Sequence, residues 1–347
     1  MPFTPRRPVT PRRPVVLLFP GQGAQQPRMA AGLYGSLDVF TDVMDTAFTL
    51  LGDDGARIRD DWLHPGSAEA LDDVTRAQPL LYAVGFALGR LVESWGVEPG
   101  ALLGHSVGEL VAATLAGVLE FDDGMRLMRE RMRIFADTPP GGMLAVAASA
   151  AQAAAYVSGQ VAVAAVNGPR QVLLAGPADQ LAAVELRLRT DQITCRPAKA
   201  RQAFHSPAVA DAAARSADGW DATPLRAPRR TVYSAYLGDV LTGERARDPR
   251  FWTGQPAEPV LFGPTLDRLL GRGDVLLVEA GPGQGLSTLA RRHPAVAAGR
   301  SAVLPMLPVR AGDSEEDRRA VAATAERLRA EGHGSVVPTP SAVASGR

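Results

Sequence analysis

The chain reads as an α/β protein on three observations. Strand-length apolar runs alternate with turn signals and helical stretches from Val15 onward. Twice an apolar run breaks into a glycine-rich turn that opens a helix, at VVLLFPGQGAQ and at ALLGHSVGELVAATLAG. Residues 141–205 carry their segments in the order βαββαβ, which is a ferredoxin-like unit. A length of 347 residues with 46% hydrophobic side chains is ample for a packed core. The formal net charge of zero argues against nucleic acid or an anionic membrane as the main partner. No apolar run approaches the roughly 18 residues of a membrane span, and the N-terminus has no signal-peptide core. The one cysteine, Cys195, leaves no internal disulfide and fits a cytoplasmic setting.

The first 14 residues, MPFTPRRPVTPRRP, near-duplicate a proline–arginine unit with nothing to bury and read as a disordered leader. The run Val15–Phe19 is the first strand, and Pro20-Gly21-Gln22-Gly23 follows as a sharp turn. Such a loop presents backbone N–H groups to an anion. It is not a nucleotide fingerprint, because Gln26 stands where the third glycine belongs, and no Gly-Lys-Ser/Thr is near.

The stretch 101–117 is the most informative. A short strand leads into Gly104-His105-Ser106-Val107-Gly108, then a helix of small residues, which is the GxSxG nucleophile elbow. Ser106 then stands exposed at a helix N-terminus, where the dipole and unpaired N–H groups favour developing negative charge. A serine needs a base, and five histidines are available. His105 adjoins the serine and points elsewhere, into supporting packing. His64 lies in a loop, His293 in a basic helix and His333 in a polar, tail-like stretch. His205, in KARQAFHSPAV, occupies a turn at an element's end and is the choice for the base.

The 141–205 unit runs GGMLAVAAS (strand), AAQAAAYVSG (helix), QVAVAAVNGPRQVLLAG (two strands about a turn), PADQLAAVELRLR (helix) and ITCRPAKA (strand), and it ends on His205. Residues 15–140 and 206–332 form the larger unit around it, and 333–347 read as a flexible tail. A nucleophile in one part and a base at the junction place the site between them.

With FPGQGAQ, GHSVGE and AFHSP in that order, the chain resembles the acyl-carrier-protein acyltransferases, which include malonyl-CoA:acyl-carrier-protein transacylases and polyketide synthase acyltransferase domains. The likeness runs from about Val15 to about Gly332, through TRAQPLLYAVGFALGRLVESWGVEPGALLGHSVGE, VAAVNGPRQVLLAG, DPRFWTGQPAEPVLF and VEAGPGQGLSTLARR. It implies a hydrolase-like α/β core with a ferredoxin-like insertion. Ser106 is then the nucleophile and His205 the general acid/base, oriented by the backbone carbonyl of Gln255. The backbone N–H groups of Gln22 and Val107 form the oxyanion hole. Arg131 pairs with the free carboxylate of a malonyl-type substrate, a task that suits a planar, permanently charged fork. Gln78 and Asn167 occupy family positions that line or support the site, although the Asn-Gly-Pro turn alone accounts for Asn167.

The chain also departs from the family. QPAEPV replaces the polyketide HLRxPV, so Ala257 stands where that arginine falls. Gln202-Ala203-Phe204-His205 is close to the HAFH pattern of malonyl selectivity and unlike YASH. Malonyl is therefore the expected acyl group, with Gln202 and Ala257 leaving room for an unusual one. The implied reaction moves an acyl group from CoA through Ser106 to the phosphopantetheine thiol of an acyl carrier protein, with no bound metal or redox cofactor. The alternatives are an acyl hydrolase on the same scaffold, in which water takes the acyl-enzyme, and an inactive docking module, which the retention of Ser106 and His205 argues against. Arg291 and Arg292 are a candidate patch for an acidic carrier protein. A free-standing enzyme acting in trans is expected.

Overall fold

In a computed structural model that describes residues 12–64 and 71–334, the first apolar run becomes strand β1 (Val15–Phe19), buried along its whole length. It lies inside a six-stranded sheet of order β10-β9-β1-β2-β7-β8. The other members are β2 (Ala101–Gly104), β7 (Thr231–Ser234), β8 (Asp239–Val240), β9 (Leu276–Glu279) and β10 (Ala302–Pro305). All neighbours pair in parallel except the β7–β8 edge. Parallel strands are covered on both faces, which is why VVLLF and LLVE read as continuous apolar runs rather than alternating ones. One face buries Leu17, Phe19 and Val278 and the other buries Val16, Leu18 and Leu277, each in its own core.

The 141–205 segment folds as its pattern predicts. Strands β3 (Gly141–Val146), β4 (Ala162–Gly168), β5 (Gln171–Pro177) and β6 (Cys195–Pro197) form an antiparallel sheet of order β4-β5-β3-β6, the ferredoxin-like arrangement. Its helices, Ala150–Ala154 and Ala178–Thr190, close a separate core that includes Leu144, Val172, Val184 and Leu188. The first helix starts at a capping box between Ser149 and Gln152. The last strand is shorter than ITCRPAKA suggests, although the chain continues beside β3, where Ala198 N donates to Met143 O at 2.9 Å and Gly141 N to Arg201 O at 3.1 Å. The two units are tied by backbone pairing at a sheet edge: Val166 N donates to Val260 O at 2.8 Å and Val260 N to Ala164 O at 2.9 Å.

The ends differ from expectation. Residues 12–14, assigned to the leader, are ordered: Leu276 N donates to Pro14 O at 2.9 Å, and Arg13 forms an ion pair with Glu331. His333, assigned to the tail, is 3% exposed and bonds the Arg13 carbonyl at 2.9 Å. Contact between the two terminal segments explains both: hydrogen bonds and the ion pair hold residues 12–14, of which Arg12 and Pro14 stay exposed, while His333 is buried. The rest of both proposed tails, residues 1–11 and 335–347, lies outside the described residues. Among the described residues no helix is long and apolar enough to cross a membrane.

Candidate active site

Strand β2 ends at Gly104, and the helix Val107–Leu115 begins one turn later. Ser106 connects them at φ 55° and ψ −121°, a region that non-glycine residues avoid. The elbow must hug the sheet: a Cβ on Gly108 would lie 2.1 Å from the Phe19 carbonyl oxygen. The FPGQG loop presses against the same turn, since a Cβ on Gly21 would come within 2.5 Å of the His105 carbonyl oxygen and 3.1 Å of Ser106 Cβ. The backbone N–H groups of Gln22 and Val107 thus flank the serine from two elements. Among the described residues neither donates to a protein acceptor, and the second is at a helix N-terminus.

His205 meets this serine from the junction of the two units. Its Nε2 lies 2.8 Å from Ser106 Oγ. Its Nδ1 faces two backbone carbonyls, Glu258 O at 2.9 Å and Gln255 O at 3.2 Å. Two acceptors at Nδ1 require the proton there, which leaves the Nε2 lone pair for the serine hydroxyl. The backbone adopts φ 64° at His205 and donates from its N to Pro256 O at 2.6 Å. Burial pushes the imidazole down to about 3, with His105 and Arg131 acting in the same direction and the two carbonyls opposing. The resting histidine is neutral, the state a base requires. The sequence pointed to Gln255 alone; Glu258 is the nearer carbonyl.

The other histidines have ordinary roles. His105 Nε2 lies 2.9 Å from Asn167 Oδ1, so Asn167 supports the residue beside Ser106. His64 is exposed beside Asp60, and His293 caps a short helix by accepting from Ala295 N at 3.1 Å.

Arg131 lies on the inner face of the helix Phe121–Ala136. Its Cζ sits 5.3 Å from the Phe135 ring centroid and 5.5 Å from that of Phe204, and its Nε donates to Gln78 Oε1 at 2.5 Å. Gln78 Nε2 in turn donates to Gln22 Oε1 at 3.0 Å, which joins the guanidinium to a side chain of the FPGQG loop. Burial lowers the guanidinium to about 10, still cationic near neutrality. Arg126, by contrast, pairs locally with Asp123. Phe204 packs its ring 4.9 Å from Phe135. Gln202 is buried, and its Oε1 has no partner among the described residues. Ala257 packs beside the Phe135 and Phe204 cluster.

Sequence reasoning missed Tyr236, Glu109 and Glu258. Glu109 was visible as the last letter of GHSVGE, but only its complete burial shows what it does: it accepts from Ser234 Oγ at 2.5 Å and from Ala235 N at 2.7 Å. Nothing local marks Tyr236, which arrives from a distant turn.

Next to the elbow is a cleft of about 740 Å³. Its walls are the loop after β1 (residues 20–27), the loop after β9 (residues 282–286), His105, Asn167 and residues 309–311. The chain runs from β1 toward β2 but from β9 toward β10, so this is the point where strand order reverses and a crevice opens at the carboxyl ends. Glu279 holds the second wall by accepting from Leu286 N at 3.0 Å and Ser287 N at 2.7 Å. Lys199, the only lysine of the chain, and Arg310 line the cleft. Arg292, exposed like Arg291, donates to Gln171 Oε1 at 2.9 Å across the two units.

The architecture and elbow define a nucleophile-elbow α/β protein with an inserted ferredoxin-like unit. The family model described as "Acyl transferase domain" matches residues 16–307, and the chain belongs to that family. It is 37% identical over 280 residues to a component of the phenolphthiocerol/phthiocerol polyketide synthase of Mycobacterium tuberculosis, covering 81% of this chain and 19% of that protein. Polyketide synthase GfsA of Streptomyces halstedii is 32% identical over 288 residues, covering 79% of this chain and 4% of that one. The chain thus spans a small part of the length of these relatives. Among solved structures, the acyl transferase domain of SpnD, in complex with 2-(pent-4-yn-1-yl)malonyl, superposes with a TM-score of 0.85 at 29% identity, covering 94% of this chain and 78% of that one. A malonyl CoA-acyl carrier protein transacylase from Clostridium perfringens shares the fold, with a TM-score of 0.80 at 22% identity and coverage of 92% and 98%.

Proposed function

We propose that this acyltransferase moves a malonyl-type group from CoA, through an ester on Ser106, to the phosphopantetheine thiol of an acyl carrier protein in polyketide or fatty acid synthesis. The observation that carries the reading is the pairing of Ser106 with neutral His205 at 2.8 Å, with a guanidinium beyond them whose Nε alone is occupied by protein. The serine hydroxyl gives its proton to His205 Nε2 as Oγ attacks the thioester carbonyl. The N–H groups of Gln22 and Val107 receive the oxyanion. The imidazolium returns the proton to the departing CoA thiolate. The carrier thiol then attacks the ester, its proton passing to His205 and finally to Ser106 Oγ. Arg131 holds the free carboxylate of the acyl group in bidentate fashion. These steps draw only on groups of this chain and its two substrates, without a bound metal or redox cofactor. The cleft at the strand-order reversal suits the pantetheine arm, with Lys199 and Arg310 toward the phosphates of CoA, and the setting proposed is the cytoplasm.

The test is intact-protein mass after incubation with a panel of acyl-CoAs. A malonyl adduct that is absent from Ser106→Ala and is chased onto a carrier protein is the expected result. Rapid loss to water without carrier acylation would replace the reading by an acyl hydrolase. Arg131→Ala should lose malonyl loading far more than acetyl loading; equal losses remove the arginine's role.

A further inference from the structure

Tyr236 stands in the turn between β7 and β8, far in sequence from every motif of the site. The turn is fixed from the nucleophile's own helix. Glu109, three residues after Ser106 and fully buried, accepts from Ser234 Oγ and Ala235 N, while Tyr236 N and Leu237 N donate to Ser234 Oγ at 3.2 Å. Tyr236 and Ser106 therefore share one rigid frame. The tyrosine ring lies 6.0 Å from the His205 ring, centroid to centroid. Its phenol is electrostatically coupled to Ser106 and to the Arg131 guanidinium, and burial raises its pKa, so it stays a protonated donor.

In the free enzyme Ser106 Oγ is engaged by His205 Nε2 at 2.8 Å, and the Tyr236 ring packs beside that histidine. Once acylated, the serine oxygen is an ester oxygen and a weak acceptor, so it does not compete for the phenol's proton. A three-carbon acyl group on Ser106 that reaches Arg131 carries its carboxylate past the phenol. Among the described residues Arg131 has spent only its Nε, on Gln78, so the carboxylate can take the Nη pair and still have lone pairs for a further donor. We propose that Tyr236 is a second selectivity residue, its hydroxyl donating to the free carboxylate of the acyl group on Ser106 beside Arg131. The proposal rests on the reading of Ser106 and Arg131 given above.

The experiment compares loading kcat/KM for malonyl-CoA and acetyl-CoA in the wild type, Tyr236→Phe and Arg131→Ala. A charge-assisted hydrogen bond to a buried carboxylate predicts that Tyr236→Phe lowers the malonyl value about 10-fold and leaves the acetyl value within about twofold. The ratio of the two substrates is independent of the folded fraction, so a stability change does not obscure it. Equal falls for both substrates, or no fall, overturn the assignment. If Arg131→Ala is selective and Tyr236→Phe is not, the tyrosine's role fails and the malonyl reading stands. If wild type shows no malonyl loading, or Arg131→Ala affects both substrates equally, the malonyl reading itself fails and the tyrosine assignment with it.

Discussion

Ser106 carries a conformational cost at the elbow. At φ 55° and ψ −121° Ser106 occupies backbone space that glycine enters freely and other residues enter at a cost of about 1–3 kcal/mol. Ser106→Gly should therefore be inactive yet about 1 kcal/mol more stable than Ser106→Ala in urea unfolding, the relief being partly offset by glycine's greater unfolded-state entropy. An Ala variant as stable as the Gly variant would refute the strain. His205 carries a different cost. Its folded pKa, about 3, lies below the ordinary histidine value of 6.5, so the unfolded chain binds a proton that the folded chain does not. Stability contributed by the neutral imidazole is present above about pH 6.5 and is lost as pH falls, by about 1.4 kcal/mol per pH unit for one proton. His205→Gln should flatten the fall in stability between pH 6.5 and 5; an unchanged slope would show that the histidine titrates normally.

At the scale of elements, the elbow works because three segments touch with almost no clearance. The Val107–Leu115 helix lies so close to β1 that a Gly108 Cβ would be 2.1 Å from the Phe19 oxygen, and Gly108→Ala should cost about 3 kcal/mol in the unfolding free energy. Glu109 joins the same helix to the β7–β8 turn. Burial pushes its carboxyl up to about 8 against the pull of Ser234 and of the backbone N–H groups of Ala235 and Tyr236. Glu109→Leu removes both acceptor oxygens and leaves Ser234 Oγ and Ala235 N without them. It should destabilise the fold by about 2 kcal/mol and slow Ser106 loading, as measured by denaturant melts and adduct formation. Retained stability with full activity would show that the turn is held by other contacts.

Across the whole molecule, the sheet opens the cleft and the inserted unit completes it. The reversal of strand order at β1 and β9 separates the loops after them, while Asn167, Gln171 and Lys199 of the inserted segment line the opening. The Val166–Val260 pairing and the Arg292–Gln171 bond tie the units together. The charge placement predicts that Lys199→Ala with Arg310→Ala raises KM for acyl-CoA several-fold, lessening with added salt, while an N-acetylcysteamine thioester that lacks the phosphates is unaffected. An equal effect on both donors would place the phosphates elsewhere.

The sequence alone determined the parts whose cause is local. The βαββαβ order followed from apolar periodicity, the elbow and Ser106 from glycines that must be small beside a strand-to-helix turn, and His205 from its place in a turn at an element's end; the expected exposure of Ser106 did not hold, since the fold buries both side chains. Arg131 was legible only through resemblance, because its helix carries several arginines and nothing local separates them. Tertiary structure decided the rest, since it depends on segments distant in sequence. It placed Arg131 against Phe135 and Phe204, gave His205 the Glu258 carbonyl as well as that of Gln255, and linked Gln22 to Arg131 through Gln78. It also brought the Tyr236 ring beside His205. Buried polar groups find partners wherever the fold supplies them, and the spacing of residues along one segment carries no record of what a strand folded elsewhere will bring beside it.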